Sequence, residues 1–377
     1  MIRVRAAVEA LPAYVAGRQG SVSDAANQAL AQLASNESPF SPLPSVQEAI
    51  ARAAAGANRY PDIDGLELRA RLARTHGVQV DQVVLGCGSV EVCRQAVSIA
   101  ADPGSEVVHA WPTFPEYAAI AGLVGARARR VRLREARHDP VAIAEAVTEQ
   151  TRVVFVCNPN SPTGTVLTRT ELAALLDAIP PWCLVAVDEA YAEFADSSEF
   201  GSALELLGAH ENLLVLRTFS KAYGLAGLRV GYGITDVEVA SLLRRVRIPF
   251  GVNSVALAAA TASLDAGPEL ADRVASLRAE RDRVATELTG QGWVVPPSQA
   301  NFLWIAAQEA LGIEAARLCF ERNVLVRQMP DGLRVTIGTE EENTRLIGAL
   351  GLAARLLPAG GVQESLAVRA SPSKAVR

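Results

Sequence analysis

The sequence is short of the residues that many enzyme chemistries need. Of 36 basic residues only two are lysines, Lys221 and Lys374, and there are four histidines, His76, His109, His138 and His210. Those histidines fall in no metal-ligand or catalytic-triad spacing, so neither a zinc site nor a histidine-activated nucleophile is expected. The five cysteines, Cys87, Cys93, Cys157, Cys183 and Cys319, form no C-x-x-C pair. Their odd number and apolar settings read as reduced core thiols of a cytoplasmic protein. No run of about 18 apolar residues is present, which excludes a membrane-spanning helix. The N-terminus lacks an apolar core followed by a cleavage site and reads as mature sequence. The formal net charge of -5 argues against nucleic acid as a main partner. Nucleophile-elbow and P-loop motifs are also missing.

The scarcity of lysine makes the survivors informative. Lys374 lies in ASPSKAVR, within an Ala-, Gly- and Ser-rich tail (359–377) that reads as disordered. Lys221 lies mid-chain, at a place that arginine has not taken over. Arginine is effectively always protonated, whereas a lysine amine can lose its proton and condense with a carbonyl.

Length alone gives a prior of about two domains. The middle of the chain alternates apolar runs with amphipathic stretches. The runs are VVLGCGS (83–89), EVVHAW (106–111), RVVFVCNP (152–159), CLVAVDEAY (183–191), NLLVLRTFSK (212–221) and RVGYGI (229–234). They are rich in Val and Leu and lack polar alternation, as strands buried on both faces of a mainly parallel sheet do. The fold class is therefore α/β. Thr168 and Glu171 form a candidate capping box at the start of one helix. From about 268 the pattern changes to a long helix, then strand, helix, strand and helix. The expected organisation is a large domain over 41–267 and a smaller α+β domain from 1–40 with 268–358.

Ligands of open α/β sheets bind beyond the carboxyl ends of the strands. One strand ends in Asp188-Glu189-Ala190-Tyr191, and another runs into Thr218, Ser220 and Lys221. A third enters Asn158-Pro-Asn160-Ser161-Pro-Thr-Gly, and a fourth enters Gly86-Cys-Gly88-Ser89 and then a helix. The glycine turn lacks the third glycine of a dinucleotide fingerprint, yet it can still offer backbone N–H groups to a phosphate. It reads equally as a plain tight turn. A buried Asp188 needs a partner. That partner is either an arginine or the protonated nitrogen of a heterocycle such as pyridoxal 5′-phosphate (PLP). Hydroxyls at 218 and 220 with an arginine fork at Arg229 suit a phosphate dianion.

These blocks, with SNESPF (35–40), NRYPD (58–62), PTF (112–114), VDEAY (187–191), FSKAYGLAGLRVGY (219–232) and RVTIGTEEEN (334–343), resemble the fold-type-I PLP aminotransferases. More narrowly they resemble the histidinol-phosphate branch, which includes the aromatic amino acid (phenylalanine-type) enzymes. The resemblance implies a large domain with a mainly parallel mixed sheet between helices, plus a smaller α+β domain. It makes Lys221 the Schiff-base lysine and general base, Asp188 the partner of the pyridine nitrogen, and Tyr191 the donor to the ring oxygen. Phe114 takes the position of the stacking ring. Gly88, Ser89 and Val90, with Thr218, Ser220 and Arg229, match the phosphate cup. Tyr60 matches a tyrosine contributed by the other subunit of a homodimer. Arg334, Arg327, Tyr14 and Asn36 match substrate-binding positions. The family's usual Asn before Pro-Thr-Gly is here Ser161, with Asn160 as the residue that could stand in if the turn rotates.

The implied reaction is ping-pong transfer from an amino acid to a 2-oxo acid, with 2-oxoglutarate as acceptor. Three features lean towards aromatic amino acids: GCGSV, IPFGVN (248–253) and SQANFLW (298–304). The short segment between Arg327 and Arg334 leans the same way. Histidinol phosphate is the alternative substrate, and decarboxylation of a phosphorylated amino acid is a third reading. No metal, nucleic acid or membrane partner is implied.

Overall fold

The computed structural model describes residues 2–9, 11 and 30–357. Tyr14 and the expected disordered tail lie outside the described residues. Among the described residues there are eleven strands: β1 (Ala31–Leu33), β2 (Val83–Gly86), β3 (Glu106–Trp111), β4 (Arg127–Arg132), β5 (Thr151–Cys157), β6 (Leu184–Asp188), β7 (Leu213–Thr218), β8 (Gly231–Thr235), β9 (Phe302–Ala306), β10 (Val324–Met329) and β11 (Gly332–Thr336). They form a seven-stranded sheet of order β2-β8-β7-β6-β5-β3-β4 and a four-stranded sheet of order β1-β10-β11-β9. The described chain divides into two compact units. One comprises Glu37–Ala275 with Ser298–Ala300 and the first short helix. The other comprises Ser276–Pro297, the chain from Asn301 onward, and β1.

In the large sheet β3, β4, β5, β6 and β7 run parallel. Only β8 opposes its neighbours β2 and β7, so β2 runs with the others. Every residue of β6 is buried. Val153, Phe155, Leu184, Ala186, Leu214 and Leu216 pack on one face, while Val154, Val156, Val185, Val187, Leu213 and Val215 pack on the other. Strands covered on both sides read as unbroken apolar runs, which is why they were legible. β4 was not expected. Its sequence RARRVR is charged because it is the sheet edge, where arginines block pairing with another chain.

The capping box forms as expected. Glu171 N–H donates to Thr168 Oγ1 at 3.1 Å and Thr168 N–H donates to Glu171 Oε2 at 2.8 Å. The expected long helix spans Gly267–Gly290. Among the described residues no helix is long and apolar enough to cross a membrane.

Candidate active site

Because β2, β5, β6 and β7 run the same way, their carboxyl ends share one sheet edge. β8 starts there, with Gly231 in register with both Gly86 and Thr218. Register also sets Asp188 beside Cys157 and Leu216. Topology thus gathers an acid, an amine, a polar turn and a glycine turn that are scattered between Gly86 and Lys221 in the sequence.

Asp188 ends β6 with 4% of its surface exposed. A buried carboxylate needs donors, and it has two. Tyr117 Oη donates to Oδ2 at 2.8 Å and Ala190 N–H donates to Oδ1 at 3.2 Å. Burial pushes the carboxyl pKa up to about 6. The bonds from Tyr117 and Ala190 and the charge of Lys221 oppose that rise, and neighbouring Glu189 adds to it.

Lys221 is half-buried, and its Nζ stands 5.8 Å from the ring centroid of Tyr191. The loop carrying it is closed by backbone bonds: Phe219 N–H to Val230 O at 3.2 Å, Gly224 N–H to Lys221 O at 3.0 Å and Leu225 N–H to Phe219 O at 2.9 Å. That closure brings Arg229 back beside Ser220. Arg229 Nη1 donates to Ala226 O at 2.8 Å and to Ser220 Oγ at 3.4 Å. Ser220 N–H in turn donates to Thr218 Oγ1 at 3.1 Å. Opposite stands Gly88, the N-cap of the helix Ser89–Ala100. A Cβ on Gly88 would sit 2.4 Å from Arg229 Nη2, and one on Gly231 would sit 2.3 Å from the backbone nitrogen of Ser89. The cup is therefore walled by bare backbone and a guanidinium. The N–H groups of a helix's first turn have no intrahelical acceptor, so Ser89 and Val90 add donors for an anion.

The polar turn is held by its own side chains. Asn160 is fully buried. Its Nδ2 donates to Thr163 Oγ1 at 2.8 Å and to Pro112 O at 3.3 Å, and its Oδ1 accepts from Thr113 Oγ1 at 2.8 Å. Both ends of the amide hold the turn together, and a rotation of the turn that freed Asn160 would have to break these bonds. Ser161 remains at that position, buried. Phe114 is half-buried and meets Tyr117 edge-on, with ring centroids 5.4 Å apart and planes at 81°.

Tyr60 lies at the surface of the same unit, 83% exposed, stacked on Phe250 at 4.6 Å. In the second unit Arg327 and Arg334 are register partners on β10 and β11. Arg334 Nη2 donates to Ala34 O at 2.6 Å, and its guanidinium lies 5.7 Å from the ring of Phe302. Asn36, at φ 55°, accepts from Thr336 Oγ1 at 3.1 Å, while its backbone N–H donates to that oxygen at 2.9 Å. These bonds hold Asn36 to the strand that carries Arg334.

Sequence reading missed two groups. Tyr117 carries no local signal beyond its place three residues after Phe114. The other is the pair behind the acid, in which Arg217 donates to Glu189 Oε2 at 2.6 and 3.0 Å. An arginine in the otherwise apolar LLVLRT was the available clue, since a charge there demands a partner.

The profile of the family "Aminotransferase class I and II" matches residues 29–350. The chain belongs to that family. It is 47% identical to an aromatic amino acid aminotransferase of Thermobifida fusca over 341 residues, which are 90% of this chain and 94% of that one. It is 45% identical to an enzyme of the same name from Streptomyces coelicolor, over 90% and 94% of the two chains. Among solved aminotransferase structures, the histidinol-phosphate aminotransferase of Sinorhizobium meliloti in complex with pyridoxal-5′-phosphate matches with a TM-score of 0.86. The identity there is 27%, covering 94% of this chain and 98% of that one. The expected α/β aminotransferase fold is thus present.

Proposed function

We propose that the protein is a PLP-dependent aminotransferase that transfers the amino group of an aromatic L-amino acid to 2-oxoglutarate. The observation that carries this reading is the convergence of Lys221, buried Asp188 and the Gly88–Ser220–Arg229 cup on one sheet edge. The donor set fits the cofactor: a cationic fork, hydroxyls and a helix start suit a phosphate, and a buried carboxylate suits a cationic ring nitrogen. When bound, PLP supplies an aldehyde for the amino group and a ring that draws off electrons from the substrate carbon.

The chain's own residues do the rest. Lys221 Nζ would be the amine that holds PLP through its aldehyde, and it would serve as the base and acid for the substrate's Cα proton. Asp188 holds the ring nitrogen's proton in place. Tyr191 and Ser161 serve the ring oxygen, and Phe114 serves the ring face. Gly88, Ser89, Val90, Thr218, Ser220 and Arg229 grip the phosphate. Arg334 binds the substrate carboxylate, with Arg327 and Asn36 beside it in sequence role.

The relatives at 47% and 45% identity support an aromatic substrate over histidinol phosphate. A homodimer with shared sites belongs to the same proposal. Exposed Tyr60, Ile63, Leu66, Ile248 and Phe250 lie on the large unit, and a second copy would cover such an apolar group. The reduced, mostly buried thiols support a cytoplasmic location.

The test is an assay of the pure protein with 2-oxoglutarate and either phenylalanine or histidinol phosphate. Higher kcat/KM for phenylalanine is expected, and the reverse order would overturn the substrate. Lys221→Ala should lose turnover and the cofactor's covalent tag on borohydride treatment. Full activity in that variant would overturn the reaction.

A further inference from the structure

The geometry points to Tyr117 as a positioning residue for this site: its buried hydroxyl is the fixed donor that holds the Asp188 carboxylate anionic and aimed at a cofactor's ring nitrogen. The inference rests on the PLP reading above and assigns a role to a side chain outside the expected machinery. Tyr117 is wholly buried. Its ring lies parallel to Phe155, with centroids 4.3 Å apart and planes at 4°. Phe114 meets its edge at 5.4 Å, and the His109 ring stands 6.2 Å away. A ring clamped on these sides has no freedom to swing, so its hydroxyl is set where Oδ2 of Asp188 needs it, at 2.8 Å. The same side chain braces Phe114, so the acid and the expected stacking ring share one support.

The charges around Asp188 explain why one hydroxyl matters. Burial works against its ionisation, and Glu189 adds a like charge, while Lys221 and the bonds from Tyr117 and Ala190 work for it. The thiols of Cys93 and Cys157 face the same spot, and burial holds both pKa values well above the ordinary thiol range, so they stay neutral. His109, lowered by burial, adds no cation. The phenol of Tyr117 is itself raised by burial and by the charge of Asp188, which keeps it a donor. A hydrogen bond to a charged group is worth about a tenfold to hundredfold shift in such an equilibrium.

The experiment measures PLP affinity of the full-length apoprotein against pH, for wild type and Tyr117→Phe. The substitution removes one oxygen and keeps the ring stack. Removing a donor from the carboxylate raises its pKa, so the acid limb of the affinity profile should move to higher pH, with affinity at the limb falling about tenfold or more. With a carbocyclic PLP analogue that lacks the ring nitrogen, the variant should bind as wild type does. In an Asp188→Asn background, Tyr117→Phe should likewise have no effect. An unmoved limb, or an equal loss with the analogue, overturns the inference. If Tyr117→Phe alone does not fold, rescue by Asp188→Asn supports the role and failure of rescue overturns it. Wild type that binds no PLP would instead sink the parent reading.

Discussion

Replacing Gly88 by alanine should weaken the protein's phosphate grip as well as its fold, by comparable amounts. Gly88 has φ 76° and ψ 162°, a region open almost only to glycine, where a side chain costs about 1–3 kcal/mol. The added Cβ would meet Arg229 Nη2 at 2.4 Å and Cζ at 3.3 Å. A guanidinium is the far end of a flexible side chain, so it can yield. Yielding pulls it off Ala226 O and Ser220 Oγ and out of line with a bound phosphate. A charge-assisted hydrogen bond is worth about 1.5–3 kcal/mol, which is roughly a tenfold to hundredfold loss of affinity. The assay compares PLP with pyridoxal, which carries no phosphate, by titrating the apoprotein of wild type and Gly88→Ala. Weaker binding of PLP with pyridoxal affinity nearly unchanged is expected. Equal weakening of both, or none for PLP, would refute the assignment of Gly88 and Arg229 to a phosphate cup.

Two further outcomes follow from the buried charges behind the site. Burial holds the Asp188 pKa at about 6 against an ordinary 3.8, so the folded apoprotein binds this proton more tightly than the unfolded chain. Its contribution is present below about pH 4 and is lost as pH rises through 6, on the order of 3 kcal/mol. Urea unfolding of apo wild type and Asp188→Asn across pH 4–7 should show wild type losing ground over that interval, and a constant difference would contradict the shift. Arg217 has 11% of its side chain exposed and Glu189 none, so Arg217→Met strands a buried carboxylate at a cost of about 3–5 kcal/mol. Glu189→Gln in the same chain should restore part of that in urea unfolding; a single-variant loss under about 1 kcal/mol would mean the pair is not the brace it resembles.

What was legible in the sequence follows from where each element sits. Strands sealed on both faces carry continuous Val and Leu, and the residues that end them are the first polar ones. Asp188, Lys221 and Gly88 therefore announced themselves as strand ends. β4 did not, because an edge strand is selected for charge. β10 did not, because its outer half, Arg327 to Met329, is only half-buried. Tyr117 was invisible for another reason. It lies in the helix Glu116–Val124, and its partner Asp188 is 71 residues away, so only the packed sheet reveals the contact. Asn160 shows the converse. Sequence makes it a candidate donor, and only the structure shows Thr113, Pro112 and Thr163 consuming its amide.

The antiparallel strand is the step that makes the site compact. A parallel strand after β7 would start at the opposite edge of the sheet, and a crossover would carry residues 222–230 away from Lys221. β8 instead opposes β7, so it begins where β7 ends, with Gly231 across from Thr218. The loop 219–230 then suffices to present Ser220, Lys221 and Arg229 together. β8 also pairs with β2 through Gly231 and Gly86, which places the glycine turn and its helix start beside Arg229 without further chain. Glycine at 231 permits that close approach, since a Cβ there would strike Ser89. One reversed strand thus joins the amine's loop to the phosphate-type cup, and the parallel neighbour β6 brings Asp188 to the same edge. Lysine is needed once in this arrangement, at the position whose amine must be able to lose its proton, and Lys221 is the lysine found among the described residues.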